Sequence, residues 1–185
     1  MSKITVKELE APTGFDLKIA AGETLDLNSQ GTVILPTIPK AKMPAGSVIQ
    51  VVQDQVLSST TISNSNTWTG IGLSVDITPT ATSSKILILA SCSSYCDTTD
   101  QTSGLTIFRG STNLGYAEAG LSPFYMNFGG GSEDLQVTTP IVYWDAVSTT
   151  SQLTYELKGK ADKSNYRING LRGGIAQLIV MEIAG

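Results

Sequence analysis

The stretch that decides the fold is GIGLSVDITPTATSSKILILAS, residues 70–91. Its first part predicts a strand with one buried face, because apolar side chains occupy every second position: Ile71, Leu73, Val75 and Ile77. Its last part, Lys85–Ser91, is continuously apolar, which is typical of a strand buried on both faces. Two β-strands joined by a short Pro- and Ser-containing turn are therefore expected here.

Outward from this stretch, similar runs recur across residues 46–185, and each is bounded by Gly, Ser, Asn or Pro. The runs are Ser47–Gln53, Gly104–Arg109, Asn113–Ala117, Leu135–Asp145, Leu153–Lys158, Asn165–Asn169 and Ile175–Ile183. Pro140 places its run at a bend or at a sheet edge. About eight or nine strands without a convincing helix predict an all-β fold, an antiparallel β-sandwich that is jelly-roll-like.

Residues 1–45 differ from the rest, because they are rich in Pro and carry only short apolar alternations, each cut by Gly or Pro. Such short strands cannot bury a face within one chain. We therefore predict an extended, β-rich N-terminal arm and linker over residues 1–45, which anchors and oligomerises the chain, ahead of a sandwich domain over residues 46–185. The alternative is a disordered tail. The candidate anchoring side chains are Phe15, Leu17, Ile19, Leu25 and Leu27.

Charge is sparse, with 15% charged residues and a net charge of −4. Between Gly46 and Leu157 the basic residues are Lys85 and Arg109 alone. A phosphate backbone or an anionic membrane requires a basic face, so neither nucleic acid nor membrane is an expected partner. The first residues have no apolar stretch of the kind found in secretory signals, so we expect synthesis in the cytoplasm without export.

The chain contains no histidine, which removes the usual general base and most metal sites. Cys92 and Cys96 on one extended strand would lie about 13 Å apart, too far for a disulfide. We accordingly predict no catalytic residues, no cofactor and no metal.

Carboxylate pairs are the one remaining route to catalysis, since a glycosidase needs only two of them. The candidates are Asp97 with Asp100, and Glu133 with Asp134, in the predicted loops Ser93–Ser103 and Gly120–Asp134. Acids are common in exposed loops, so we favour a solvated role over catalysis. A hard cation such as Ca²⁺ is the other use for such oxygens.

Aromatic residues in predicted loops are the candidate binding groups: Trp68, Phe124, Tyr125 and Phe128. Displayed aromatics can stack on sugars or fill a partner's pocket. The alternative, which we favour, is that they pack in the sandwich core or at a subunit interface.

Five segments resemble the C-terminal domain common in structural proteins of marine and freshwater tailed phages, notably tail-fibre proteins of cyanobacterial phages. They are GSVIQVVQ (46–53), TGIGLSVDITPTATSSKILILAS (69–91), IFRGSTNLG (107–115), PIVYWDAVSTTSQLTYELK (140–158) and IAQLIVMEIAG (175–185). Residues 4–36 resemble the segment that precedes this domain in such proteins. The resemblance covers nearly the whole chain, and its most distinctive parts, the closing MEIAG and the ITPTATSSKIL stretch, are structural rather than catalytic.

The resemblance implies a homotrimeric virion protein that is made in the host cytoplasm. It implies a non-enzymatic, tail-fibre-like protein, attached to the particle by its N-terminus, that displays the sandwich for host attachment. The expected partners are further copies of itself, other virion proteins of the tail or capsid, and a host-surface glycan. The alternatives are a capsid decoration, cement or head-fibre protein and, less favoured, a carbohydrate-active enzyme.

Overall fold

The computed structural model describes residues 43–62, 66–97, 100–127, 134–163, 166–169 and 173–185. All of them belong to one unit of the chain, Pro39–Gly185. Residues 1–42 of the predicted arm, with Phe15, Leu17, Ile19, Leu25 and Leu27, lie outside the described residues, so the anchoring role and the domain division stay predictions.

Within the described ranges the regular structure consists of eleven β-strands, without a helix. In chain order they are β1 Val48–Val56, β2 Thr60–Ile62, β3 Thr69–Ile77, β4 Lys85–Cys96, β5 Gln101–Arg109, β6 Thr112–Asn113, β7 Ser122–Met126, β8 Leu135–Ala146, β9 Leu153–Ala161, β10 Tyr166–Ile168 and β11 Ala176–Ile183.

The strands form two antiparallel sheets. In sheet 1, β4 pairs with β8 on one side and with β11 on the other, β1 pairs with β11, and β10 and β2 continue beside the last residues of β4. In sheet 2 the order is β3-β9-β5, with β6 and β7 both paired along the far side of β5. The predicted antiparallel β-sandwich is confirmed.

The core lies between the sheets and is built from alternate residues of the long strands. Sheet 2 contributes the row predicted from the sequence, Ile71 to Ile77 in steps of two, and every member of this row is buried. Sheet 1 contributes Ile86 and Ile88 from β4, together with Leu178 and Val180 from β11. Burial of one face per strand is the pattern that a two-layer sandwich requires.

Strand β4 differs from its prediction in length and in burial. It runs on to Cys96, so the first part of the predicted loop Ser93–Ser103 belongs to the strand. Ile86 and Ile88 are fully buried, whereas Leu87 and Leu89, which point to the outer face, are only partly covered. The continuous apolar run therefore reflects a second apolar face that the described residues leave partly open.

Two other predicted segments need correction. Asn113–Ala117 is not a strand beyond Asn113, because the chain turns there and Tyr116 bridges to Gly120. Ser122–Met126, predicted as part of a loop, is strand β7 and pairs with β5. The prediction for Pro140 is confirmed: among the described strands, β8 pairs with β4 alone and lies at the edge of its sheet.

Candidate functional site

Two tyrosine hydroxyls contact three of the four loop carboxylates that the sequence predicted as candidates. The structure brings Asp97 and Asp134 to the same hydroxyl, that of Tyr95, which donates to Asp134 Oδ1 at 2.9 Å and lies 3.3 Å from Asp97 Oδ2. Asp100 instead accepts from Tyr125 at 3.4 Å, and Glu133 lies outside the described residues. Burial of Tyr95 and its bond to Asp134 raise the pKa of this phenol to about 12, so it stays protonated at neutral pH.

The two cysteines lie on β4 as buried thiols, four residues apart. Burial raises the pKa of Cys92 to about 11, although a hydrogen bond from Ser94 acts in the opposite direction. Cys96 Sγ donates to Gln101 Oε1 at 2.5 Å. Because the thiolate is the reactive form, Cys92 is a poor nucleophile at neutral pH.

Trp68 is half-buried and packed on the outer side of sheet 2. Its ring lies 6.4 Å from that of Phe108 at 60°, Nε1 donates to Ala117 O at 3.0 Å, and Lys160 Nζ lies 5.0 Å from its ring centroid. The ring is therefore packed against its own chain but outside the sandwich core, and a place at a subunit interface stays a prediction.

The other candidate aromatics lie on or just beyond β7. Tyr125 is 63% exposed, Phe124 is partly buried, and Phe128 lies outside the described residues. Tyr125 is directly opposite Thr102 of β5, and both are exposed, so both side chains are on the outer face of sheet 2. Tyr125 is the sequence-predicted aromatic that is most available to a ligand.

A shallow polar depression of about 250 Å³ lies beside this pair. Its lining residues are Asn66, Thr102, Ser103, Glu118, Lys160 and Asp162. Lys160 is almost fully buried and faces the exposed carboxylate of Glu118 at 3.5 Å. Asp162 accepts from the Thr102 amide at 2.9 Å, which fixes its carboxylate at the rim. The depression therefore offers both donors and acceptors, and Thr102 in its lining is directly opposite the exposed Tyr125 in the sheet.

Sequence reasoning overlooked the loop at residues 114–121, which places Glu118 at this depression. Tyr116, two residues earlier, is 80% exposed. Glycine is the strongest turn signal in this segment. The fold shows what the segment does, because it lies over the outer face of sheet 2. Gly104 of β5 approaches it so closely that an added Cβ would lie 2.7 Å from Ala119 O.

The outer face of sheet 1 has a different character, because two rows of mostly apolar side chains cross four of its strands, β1, β11, β4 and β8. One row is Val51, Met181, Leu87 and Trp144, and the next is Gln53, Ile179, Leu89 and Val142; neighbours in each row are directly opposite in the sheet. Val142 is 71% exposed, and Trp144 and Val51 are about half exposed. The sequence signal was present in PIVYWDAV, which is apolar on both alternating faces.

One buried carboxylate links the two sheets. Asp145 of β8 accepts from Arg109 Nη1 at 2.8 Å and from the hydroxyl of Tyr155 at 2.8 Å, so it joins sheet 1 to sheet 2. Burial and the bond to Asp145 raise the pKa of Tyr155. These charged groups are engaged in structure and lie away from the polar depression.

Two further features are absent from the described residues. They contain no cluster of three His, Cys, Asp or Glu residues that could hold a metal ion. The same part of the chain has no helix that is long and apolar enough to cross a membrane.

The described fold belongs to the class of antiparallel β-sandwiches. No protein-family model matches the chain, and no curated protein matches it. Among solved structures, the VP2 subviral particle of infectious bursal disease virus is similar at 12% identity and a TM-score of 0.43, covering 83% of this chain and 37% of that one. The structure of the Gx strain of the same virus gives 12% identity and a TM-score of 0.41, covering 74% of this chain and 32% of that one.

The Gt strain structure gives 14% identity and a TM-score of 0.38, covering 95% of this chain and 47% of that one. The chain thus spans less than half the length of each of these solved chains. Likeness at this level assigns neither a family nor a function.

Proposed function

We propose that this chain is a non-enzymatic virion structural protein of a tailed phage. It is a homotrimeric, tail-fibre-like protein that attaches to the particle through its N-terminal arm and displays the sandwich for binding to a host-surface glycan. The phage resemblance of the sequence supports the virion role. The observation that supports glycan binding best is the polar depression beside the exposed ring of Tyr125.

A glycan suits this surface for chemical reasons. Sugar hydroxyls both donate and accept hydrogen bonds, and the depression offers the carboxylate of Glu118, the ammonium of Lys160 and the hydroxyl of Thr102. The apolar faces of sugar rings stack on aromatic side chains, for which Tyr125 is the available partner. A shallow site of this kind fits a repeating polymer on a cell surface better than an enclosed small molecule.

The test is binding of the full chain to polysaccharide purified from the surface of the host. We expect Tyr125→Ala to weaken binding at least about tenfold, because a central aromatic contact often contributes more than 1 kcal/mol. Tyr125→Phe keeps the ring and should retain most of the affinity. Thr154→Ala, an exposed change far along the same sheet, is the matched control and should bind as the parent does.

Equal binding by the parent and Tyr125→Ala would contradict the proposed site. The same samples are assayed for release of new sugar reducing ends, because Glu118 and Asp162 both line the depression and a glycosidase uses two carboxylates. Release of reducing ends by the parent would replace the non-enzymatic proposal with the carbohydrate-active alternative.

A further inference from the structure

The outer face of sheet 1 is unlike the outer face of sheet 2. Sheet 2 is covered by its own chain, since residues 114–121 and Trp68 pack over β5. The corresponding face of sheet 1 leaves Val142, Trp144 and Val51 half or more exposed. A strand as apolar on both faces as β4 normally has both faces covered.

We propose that the outer face of sheet 1 is the surface through which copies of this chain bind one another. The inference rests on the homotrimer in the proposed function and goes further, because it assigns the subunit contact to two side-chain rows. One row runs from Val51 to Trp144, and the other runs from Gln53 to Val142.

The size of the face fits a subunit contact. Four strands about 4.8 Å apart, over the seven residues of Lys85–Ser91 at about 3.3 Å each, give a flat area of about 440 Å². This area lies within the range of about 300–600 Å² that the largest apolar patches of monomers reach, and such patches are often functional. It is also the size expected for the apolar core of a contact that buries about 800 Å² per partner. The row that borders the face on one side is Gln55, Gln177, Ser91 and Pro140, and its first three side chains are polar.

The charge of the face favours a second copy over another class of partner. Across the strands that flank Lys85–Ser91, Lys85 is the single charged side chain that alternation places on this face within the described residues. A face so poor in charge offers little to an oppositely charged partner. Two copies bring together apolar surfaces without appreciable like-charge repulsion, and depletion of charge is typical of the centre of homomeric contacts.

The edge of the sheet also favours contact through the face. β8 is an edge strand of twelve residues, and an unprotected edge could add a strand from another copy. Pro140 has no backbone N–H, so it interrupts the hydrogen bonds that such an addition would need. Association through the face does not use this edge strand. Three copies can pack their sheet 1 faces around a common axis.

The experiment is sedimentation velocity of the full-length chain over a wide range of concentration. The parent should sediment as an assembly of about three times the 19.5 kDa chain mass. Val142→Glu should weaken this assembly at least about tenfold, because three or more buried carboxylates would then meet at the contact. Tyr116→Glu, a charge placed on an exposed aromatic of the sheet 2 loop, is the matched control and should assemble normally.

The possible results test the trimer and the contact separately. A parent that remains monomeric at every concentration overturns both the trimer and this contact. A parent that assembles, with Val142→Glu assembling equally well, overturns the contact and leaves the trimer standing. Far-ultraviolet circular dichroism and a urea melt verify that Val142→Glu is folded, and Val142→Gln replaces it if it is not. Failure of glycan binding by Tyr125→Ala is measured separately and does not bear on this contact.

Discussion

At the scale of single residues, the buried carboxylate of Glu182 shows how a charge can be retained inside this sandwich. Glu182 lies on β11 with no exposed surface, yet four donors point at its oxygens: Thr80 N and Oγ1, Ser84 Oγ and Gln50 Nε2, all within 2.7 Å. Burial acts to raise its pKa, but the hydrogen bonds together outweigh burial, and the pKa lies below the ordinary value of 4.5. The carboxylate therefore fixes the turn between β3 and β4 against β1 and β11.

We predict that Glu182→Gln lowers the free energy of unfolding at pH 7 by about 1–3 kcal/mol, because an amide brings an N–H₂ group into a ring of donors. A carboxylate whose pKa is lower when folded stabilises the fold above its unfolded pKa. That contribution is lost as the pH falls through the folded value. The difference between the parent and Glu182→Gln should therefore be constant from pH 7 to about pH 5 and shrink below it. Urea unfolding at a series of pH values measures this.

The control for Glu182→Gln is Asp76→Asn, because Asp76 is an exposed carboxylate that accepts from the exposed Thr154 hydroxyl. Its effect on unfolding should be small at every pH. A Glu182→Gln protein as stable as the parent at pH 7 would show that the four hydrogen bonds contribute nothing net.

Single residues also show which side-chain positions could not be predicted from the sequence. The aromatic residues were visible as candidates, but the position of Trp68 depends on Phe108, forty residues along the chain, and on the loop that carries Ala117. Tyr125 could be named from the sequence because it sits among Ser, Pro and Asn. Its exposure follows from the register of β7 on β5, which the sequence does not show.

At the scale of elements, the loop over residues 114–121 depends on one tight glycine. Gly120 has a φ of +73°, and an added Cβ would lie 2.5 Å from Leu105 O and 2.6 Å from the Trp68 ring. Its backbone is tied to Tyr116 in both directions, by hydrogen bonds of 2.8 and 3.1 Å. Gly120 therefore lets the loop lie directly on the outer face of β5.

We predict that Gly120→Ala destabilises the protein by about 2–4 kcal/mol, since the methyl group meets backbone as well as a positive φ. Hydrogen exchange should show faster exchange at the amides of Leu121 and Tyr116, which close this loop. Gly110→Ala is the matched control: its φ is also positive, at +57°, but nothing lies within 4 Å of the new Cβ, so only about 1 kcal/mol is expected. Equal effects of the two changes would contradict the close approach.

Elements with clean periodicity were predictable, and those without it were not. Residues 70–77 alternate, and β3 has the buried face that this alternation predicts. β7 reads SPFYM, in which a proline and two adjacent aromatics hide any period, so pairing with β5 had to come from the structure. Asn113–Ala117 was predicted as the second strand of a hairpin. The strand ends at Asn113, however, because the following residues pack as a loop over sheet 2.

At the scale of the whole described domain, the two outer faces have different proposed functions. We propose that sheet 2, with the polar depression and Tyr125, binds a host glycan, and that sheet 1, with its apolar rows, binds other copies of the chain. The sequence predicted the sandwich, because binary patterning decides layer architecture. The sequence did not predict which side of each strand is covered. Both β4 and β8 are apolar on each side, and only the register of the strands shows which side is covered.

The central claim is that the chain is a virion component that displays this domain. The most direct measurement is electron microscopy of intact phage particles labelled with gold-tagged antibody against residues 46–185. The account predicts gold at the tail, where a host-attachment protein lies. Gold spread over the head would replace host attachment with capsid decoration, and the absence of gold from every particle would contradict the virion role.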